Sequence, residues 1–363
     1  MYKNLITNTL TLAGGTYIAQ IITLISLPLL SRLFIPKLFG EFAIYMAILL
    51  LLSSISTLRY EFAIVQTKNK EESINVVIIC LILNVLITFL TFVIIFFFLF
   101  EFKIFKNIGL YIYLIPVNLL FLGSLNILKN WFLNNNQYKS ISKLSIVQNI
   151  LVFTFQISLG LIGLNKGLIL GYFIGNTLIF FYVFYNFVQL FKEIENLSIG
   201  RLKITAKKYA NLPKFSTFGV FADNFSIQAP IFILSSSFSS TFIGSFNMVM
   251  RALHFPLSAI SNSINNVLFK QVASLTNDKS RLVRSLIIKT SFVLLLVMLP
   301  FIFIFWFFGP DLFLIVLGRE WVFAGELSRI LVFVIAIRFI VSSCNSIMLI
   351  NQNIQLIQSI QKT

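Results

Sequence analysis

Apolar residues in this chain come in blocks long enough to cross a bilayer, separated by short polar breaks, from residue 8 to residue 350. A spanning helix needs about 20 apolar residues, and reading the runs against that length predicts helices near 8–31, 40–58, 75–100, 108–128, 141–162, 167–190, 214–235, 242–267, 286–308 and 327–350. The pattern is that of an all-α polytopic membrane protein with about ten transmembrane helices. The longest polar stretch separates six spans from four, which predicts an N-terminal six-helix lobe over 1–190, a cytoplasmic linker over 191–213 and a shortened C-terminal lobe of four helices over 214–363. The first apolar run is too long for a cleavable signal and lacks a small-residue cleavage site, so the first helix is expected to stay.

Composition agrees and narrows the chemistry. Hydrophobic residues make up 58% of the chain and charged residues only 11%, with 42 Phe, against about 25% charged in a soluble domain. A water-soluble enzyme is excluded. One His and two Cys, Cys80 and Cys344, are too few for a structural zinc site or a disulfide framework, so no cofactor or metal is expected. The formal charge of +16 sorts by side. With the N-terminus inside, Lys and Arg gather about threefold on inner segments, above all Lys192, Arg201, Lys203, Lys207, Lys208 and Lys214, then Lys270, Lys279, Arg281, Arg284 and Lys289. Outer segments hold Arg32, Lys37, Lys103, Lys106, Lys166 and Arg319. The excess therefore reads as topology and attraction to anionic membrane lipid, without a nucleic-acid partner.

The same pattern contains a repeat. From Ala19 the first hairpin reads AQIITLISLPLLSRLFIPKLFGEF, and from Ala222 the seventh and eighth spans read ADNFSIQAPIFILSSSFSSTFIGSF. Each carries a Pro deep in its first helix, Pro28 and Pro230, then a Gly-x-Phe opening the return helix, Gly40 with Phe42 and Gly244 with Phe246. Six spans separate the copies, so both run the same way, the parallel-repeat arrangement of transporters. Two full six-helix halves need about 40 residues more than this chain has, at about 20 per span, and the terminal LINQNIQLIQSIQKT reads as the opening of an eleventh span.

Ionisable groups at bilayer depth cost about 3 kcal/mol or more and mark functional candidates. Asp223 and Arg251 each lie about nine residues into an antiparallel neighbour, about 13 Å deep at the helical rise, which would set them level at the midplane. His254 lies three residues beyond Arg251 and shares its face, and Arg338 adds a further buried cation in the tenth span. Two readings stand: a structural Asp223–Arg251 pair holding two helices together, or a polar cavity whose surplus positive charge receives a phosphate through the Arg forks. In the second, Asp223 is the group that a coupling proton or sodium ion neutralises, and His254 titrates. Gln20, Asn224 and Gln228 would line the cavity, while Gln148, Asn149, Gln156 and Asn176 serve either as its wall or as interhelical glue.

Residues 31–73, SRLFIPKLFGEFAIYMAILLLLSSISTLRYEFAIVQTKNKEES, resemble the signature of the polysaccharide-transport family of Wzx-like oligosaccharide flippases in the MATE-like exporter superfamily. The resemblance rests on Pro36 with Phe39-Gly40-x-Phe42, on Leu58-Arg59-Tyr60-Glu61-x-Ala63-Ile64, and on Lys68-Asn69-Lys70-Glu71-Glu72. Weaker echoes are Trp131 to Lys143, Arg251 to Pro256, and Asn265 to Gln271. It implies two six-helix lobes around a central cavity and a substrate, undecaprenyl-diphosphate-linked oligosaccharide, moved across the bacterial cytoplasmic (inner) membrane for surface polysaccharide biosynthesis (lipopolysaccharide O-antigen or capsule). Arg59 and Glu61 match the signature at the inner mouth, as a substrate contact and a coupling group or as a loop-anchoring pair. The competing readings are a drug or cation antiporter of the same fold, a membrane glycosyltransferase or polymerase, and a non-functional truncated remnant. A cationic substrate prefers an acidic cavity, and the buried balance here is basic.

Overall fold

A computed structural model of the protein describes residues 2–98, 108–192, 198–254, 257–258, 260–261, 264–265, 268 and 280–360, and among them it holds helices and turns but no strand. Lys103, Lys106, Lys270 and Lys279 of the charge pattern, and Phe255, Pro256 and residues 266–267 and 269–271 of the later echoes, lie outside the described residues.

The chain runs α1 (Tyr2–Leu33), α2 (Pro36–Ser53), a short α3 (Glu61–Gln66) and α4 (Lys70–Phe98). A 3-10 turn leads into α5 (Leu114–Asn134), after which lie α6 (Tyr138–Leu161), α7 (Gly167–Lys192) and the linker helix α8 (Ile199–Lys208). Then come α9 (Thr217–Ser237), α10 (Ser240–Val249) continuing into a π-helical turn at Met250–His254, α11 (Ser280–Leu317) and α12 (Val322–Ile360). Among the described residues eight helices are long and apolar enough to span a membrane, and Tyr17–Leu33 adds an apolar stretch within α1. Where the expected spans fall on described residues they are helical, with two differences. The second ends at Ser53 rather than 58: turns follow over 54–60, and Leu58 and Arg59 take left-handed backbone, φ 48° and 66°, which no α-helix continues through. Residues 349–360 do not open an eleventh span but extend α12 without a break.

Local chemistry places the breaks. Extended Ile35 before Pro36 in the first turn starts α2, where the missing Pro N–H costs nothing. Gly163 (φ 79°) turns α6 into α7, and Gly318 (φ 105°) turns α11 into α12. Contacts group the chain into two packed units, Met1–Gly244 and Ser245–Thr363.

In the first unit α6 packs along both α1 and α7. The approach to α7 is at backbone distance: a methyl group on Gly171 would lie 2.5 Å from the Gln156 nitrogen, and one on Gly175 would lie 2.7 Å from the Val152 Cα. Small residues at such crossings are how helices associate where lipid removes the hydrophobic drive. The Phe34 ring fills the slot left by Gly160 and Gly167. Tyr60, Ile64, Val77, Cys80, Leu128, Trp131, Val183 and Phe187 form a buried cluster joining α3, α4, α5 and α7, and Leu202 and Ala206 of α8 pack on it. Outward positions carry exposed Phe89, Phe97, Phe181 and Ile233, the inverse of a soluble protein and the pattern that lipid as solvent requires.

Amides stitch this unit together. Gln148 Nε2 donates to Asn176 Oδ1 at 2.8 Å, buried Gln156 donates to the Leu168 carbonyl at 2.9 Å, and Asn118 donates to the Tyr45 hydroxyl at 2.5 Å. Gln148, Gln156 and Asn176 therefore act as interhelical glue. In the second unit α11 and α12 form a hairpin, tightest where a methyl on Gly325 would meet the Pro310 Cα at 2.5 Å, and Ser261 bonds with Ser342 and Ser343.

Gly171→Ala is expected to cost about 1–3 kcal/mol, the usual penalty for overpacking, whereas Gly200→Ala, inside α8 with its methyl meeting nothing nearer than 3.5 Å, is expected to cost nothing and to gain up to about 1 kcal/mol from helix propensity. Thermal unfolding of the two purified variants in detergent checks this.

Candidate functional site

Arg59 sits on the least regular backbone of the first unit. The turn from Ser54 to Tyr60 carries the two consecutive left-handed residues Leu58 and Arg59, each a conformation costing about 1–2 kcal/mol for a side chain with a Cβ. Such strain persists only where surroundings enforce it, and the enforcing contacts are visible. Thr217 Oγ1, at the start of α9, donates to the Leu58 carbonyl at 3.1 Å. The Tyr60 hydroxyl donates to the Ala206 carbonyl of α8 at 3.0 Å. The guanidinium itself is held on one edge by the Glu61 carboxylate at 3.5 Å and on its face by the Phe62 ring at 4.0 Å. Glu61 is buried and also accepts from Thr57. Among the described residues Arg59 Nε is buried and has no hydrogen-bond partner, while the side chain keeps 22% of its surface open. The result is a fixed, partly desolvated guanidinium with donors to spare, which is what bidentate recognition of an oxyanion uses.

The same end carries the linker. Arg201 and Lys208 of α8 pair with Glu71 and Glu72 at the start of α4, and the Tyr209 hydroxyl donates to Glu72 at 3.2 Å. Lys129, one residue past the expected end of the fourth span, lies inside α5, half-buried, with no ion pair or hydrogen bond among the described residues.

The other residues expected at a site are spread over both units. Asp223 is exposed on α9, Asn224 is half-buried and bonds its own helix at Val220, Gln228 is buried one turn on, and Gln20 is half-buried on α1. All four belong to the first unit. Arg251 and His254 belong to the second unit, in the π-helical turn packed on α12. Arg338 lies on α12, the helix against which that turn packs. In a π turn hydrogen bonds run five residues apart, so Arg251 and His254 do not stack as α-helical spacing would have them.

Sequence reasoning passed over Glu41. It lies buried in the second turn of α2, with Lys166 Nζ from the α6–α7 turn at 2.5 Å. A carboxylate two residues after Pro36-x-x-Phe39 and inside an apolar helix was the available signal. Among the described residues no group of three or more His, Cys, Asp or Glu could hold a metal ion.

Comparison with known proteins places this geometry. No curated protein matches the chain. A solved structure, the inward-facing conformation of a multidrug resistance MATE family transporter of the MOP superfamily, superposes with a TM-score of 0.60 over 93% of this chain and 83% of that one, at 12% identity. That likeness is one of fold. Residues 29–325 match the model of the family described as polysaccharide biosynthesis protein, so this multi-pass helical membrane protein, built on the MATE-like fold, belongs to that family.

Proposed function

We propose that the protein carries an undecaprenyl-diphosphate-linked oligosaccharide from the cytoplasmic to the outer leaflet of a bacterial cytoplasmic membrane by alternating access, without an enzymatic step. The family match supports a role in polysaccharide biosynthesis, and the fold supports transport. The observation that carries the choice of substrate is Arg59: a guanidinium fixed on strained backbone, with a buried Nε that has no partner among the described residues. By the bias of positive charge it lies on the cytoplasmic side, where the N-terminus also lies.

In this reading residues 1–190 and 214–363 are the two lobes, joined by the linker 191–213. Arg59 receives the diphosphate at the inner mouth. Arg251 and Arg338 hold it at mid-depth, and Asn224, Gln228 and Gln20 meet sugar hydroxyls. Asp223, His254 and Glu61 are the groups through which a proton or sodium ion couples to the cycle. The polyprenyl chain stays in lipid. A cationic drug fits this set poorly, because its cations outnumber its carboxylates.

Arg59→Ala is expected to reduce complementation of a flippase-deficient strain at least tenfold, and Arg59→Lys to restore only part of it, because a point charge replaces a bidentate fork. Wild-type activity in Arg59→Ala sinks the assigned role. Arg251→Ala and Asp223→Ala are each expected to abolish complementation while the protein still inserts. Measuring lipid-linked oligosaccharide that accumulates in the deletion strain tests the substrate, and its absence there, with export of cationic dyes instead, favours the antiporter.

A further inference from the structure

The α11–α12 hairpin carries a hollow of 730 Å³ along one side, lined by Leu296, Pro300, Phe303, Trp306 and Phe307 of α11 and by Phe333 of α12. Its walls brace one another: the Trp306 ring meets Phe333 edge-on at 5.0 Å, and Phe303 leans on Phe307 at 4.7 Å. All six side chains are exposed, so the hollow opens away from the hairpin's own core. No Asp, Glu, Lys or Arg falls at 290–310 on α11 or at 330–337 on α12. The first charges met toward the tip of the hairpin are Asp311 and Arg329, which places the hollow in the hydrocarbon and its tip-ward end at the edge of it.

Arg329 stands at that edge. Its stem passes over Gly309, where a methyl group would meet the Arg329 Cγ at 3.7 Å, and Nη2 donates to the Phe307 carbonyl at 3.4 Å. Among the described residues no carboxylate pairs with it, Glu326 one turn before it included. An exposed guanidinium with donors left over, at the mouth of an apolar hollow, is the complement of an amphiphile with a phosphate head and a hydrocarbon chain. The length of the hollow narrows the choice. From Phe307 to Leu296 is eleven residues, about 16 Å at the helical rise, which is one leaflet's share of a hydrocarbon core about 30 Å thick. That suits the acyl chain of a bilayer phospholipid, whereas a polyprenyl chain is far longer. We infer that this hollow binds one anionic phospholipid of the leaflet at the hairpin's tip, its phosphate on Arg329 and an acyl chain against Trp306. A zwitterionic phospholipid brings the same phosphate with a neutralising ammonium, so net charge sets the preference. The inference does not depend on the flippase reading, whose orientation only makes the leaflet the outer one.

Trp306 makes the site readable, because it is exposed whereas Trp131 and Trp321 are buried, and a brominated acyl chain quenches only a tryptophan that it touches. The full chain is placed in phosphatidylcholine nanodiscs holding a small fraction of phosphatidylglycerol with brominated acyl chains, and the Trp306 signal is taken as the difference from Trp306→Phe. Brominated phosphatidylglycerol is expected to quench as strongly as an about fivefold larger fraction of brominated phosphatidylcholine, the enrichment that one cationic contact gives. Arg329→Gln should remove this preference and Arg329→Lys should keep part of it. Equal quenching by the two lipids, or a preference that survives Arg329→Gln, overturns the site. Relief of quenching by undecaprenyl phosphate at a fraction where unbrominated phosphatidylglycerol gives none would assign the hollow to a polyprenyl chain. Quenching by neither lipid would mean that a second copy or another segment covers it, and both results likewise overturn the proposal. None of these outcomes touches the flippase reading, which is tested at Arg59.

Discussion

Lipid offers a backbone nothing to bond with, so every spanning segment here is committed to a helix before tertiary contacts form. What distinguishes one arrangement from another is then how closely two helices approach. The chain sets that distance with glycine. Gly171 and Gly175 bring α7 onto α6, Gly160 and Gly167 open a slot for Phe34, and Gly40 and Gly244 let the two repeat copies touch. Apolar side chains, abundant everywhere, discriminate little between one lipid-facing surface and another, as the exposed Phe89 and Phe181 show. Steric fit at a few positions with no side chain carries the specificity that hydrophobic burial carries in water.

Polar contacts divide into two kinds around this framework. Inside the first unit, amides and a buried ion pair fasten elements that stay together: Gln156 to Leu168, Asn118 to Tyr45, Glu41 to Lys166. At the other end, the Arg59 turn stores strain and keeps donors unspent. Its two struts come from α8 and from the first residue of α9, so the backbone that holds Arg59 in place is the backbone that leads into the second half of the chain. A group at this position senses any movement of α8 or α9.

Much of the fold was legible from the sequence because apolar length is a direct readout of bilayer thickness, and the repeat was legible because Pro28, Gly40 and Phe42 reappear in order as Pro230, Gly244 and Phe246. The early end of α2 was not, since left-handed backbone at Leu58 and Arg59 leaves no compositional mark. Lys129 falls just past the fourth span as the apolar run sets it, at 128, although α5 runs beyond it to Asn134. Glu41 escapes notice because a single acid near a turn reads as surface until its partner, 125 positions away, is in place. The π turn at Met250–His254 likewise changes which residues stack without changing the apolar period that predicts the helix.

The linker helix shows where the chain forgoes permanence. Of its two pairs, Arg201–Glu71 has both members at least half open, while Lys208 reaches a more enclosed Glu72, and exposed pairs such as the first contribute little and weaken with added salt. The tyrosine strut nearby, Tyr60 to Ala206, is neutral and indifferent to ions. A tether made this way leans on its neutral anchor more than on its charges, so added salt weakens the exposed pair while the Tyr60 contact is left in place.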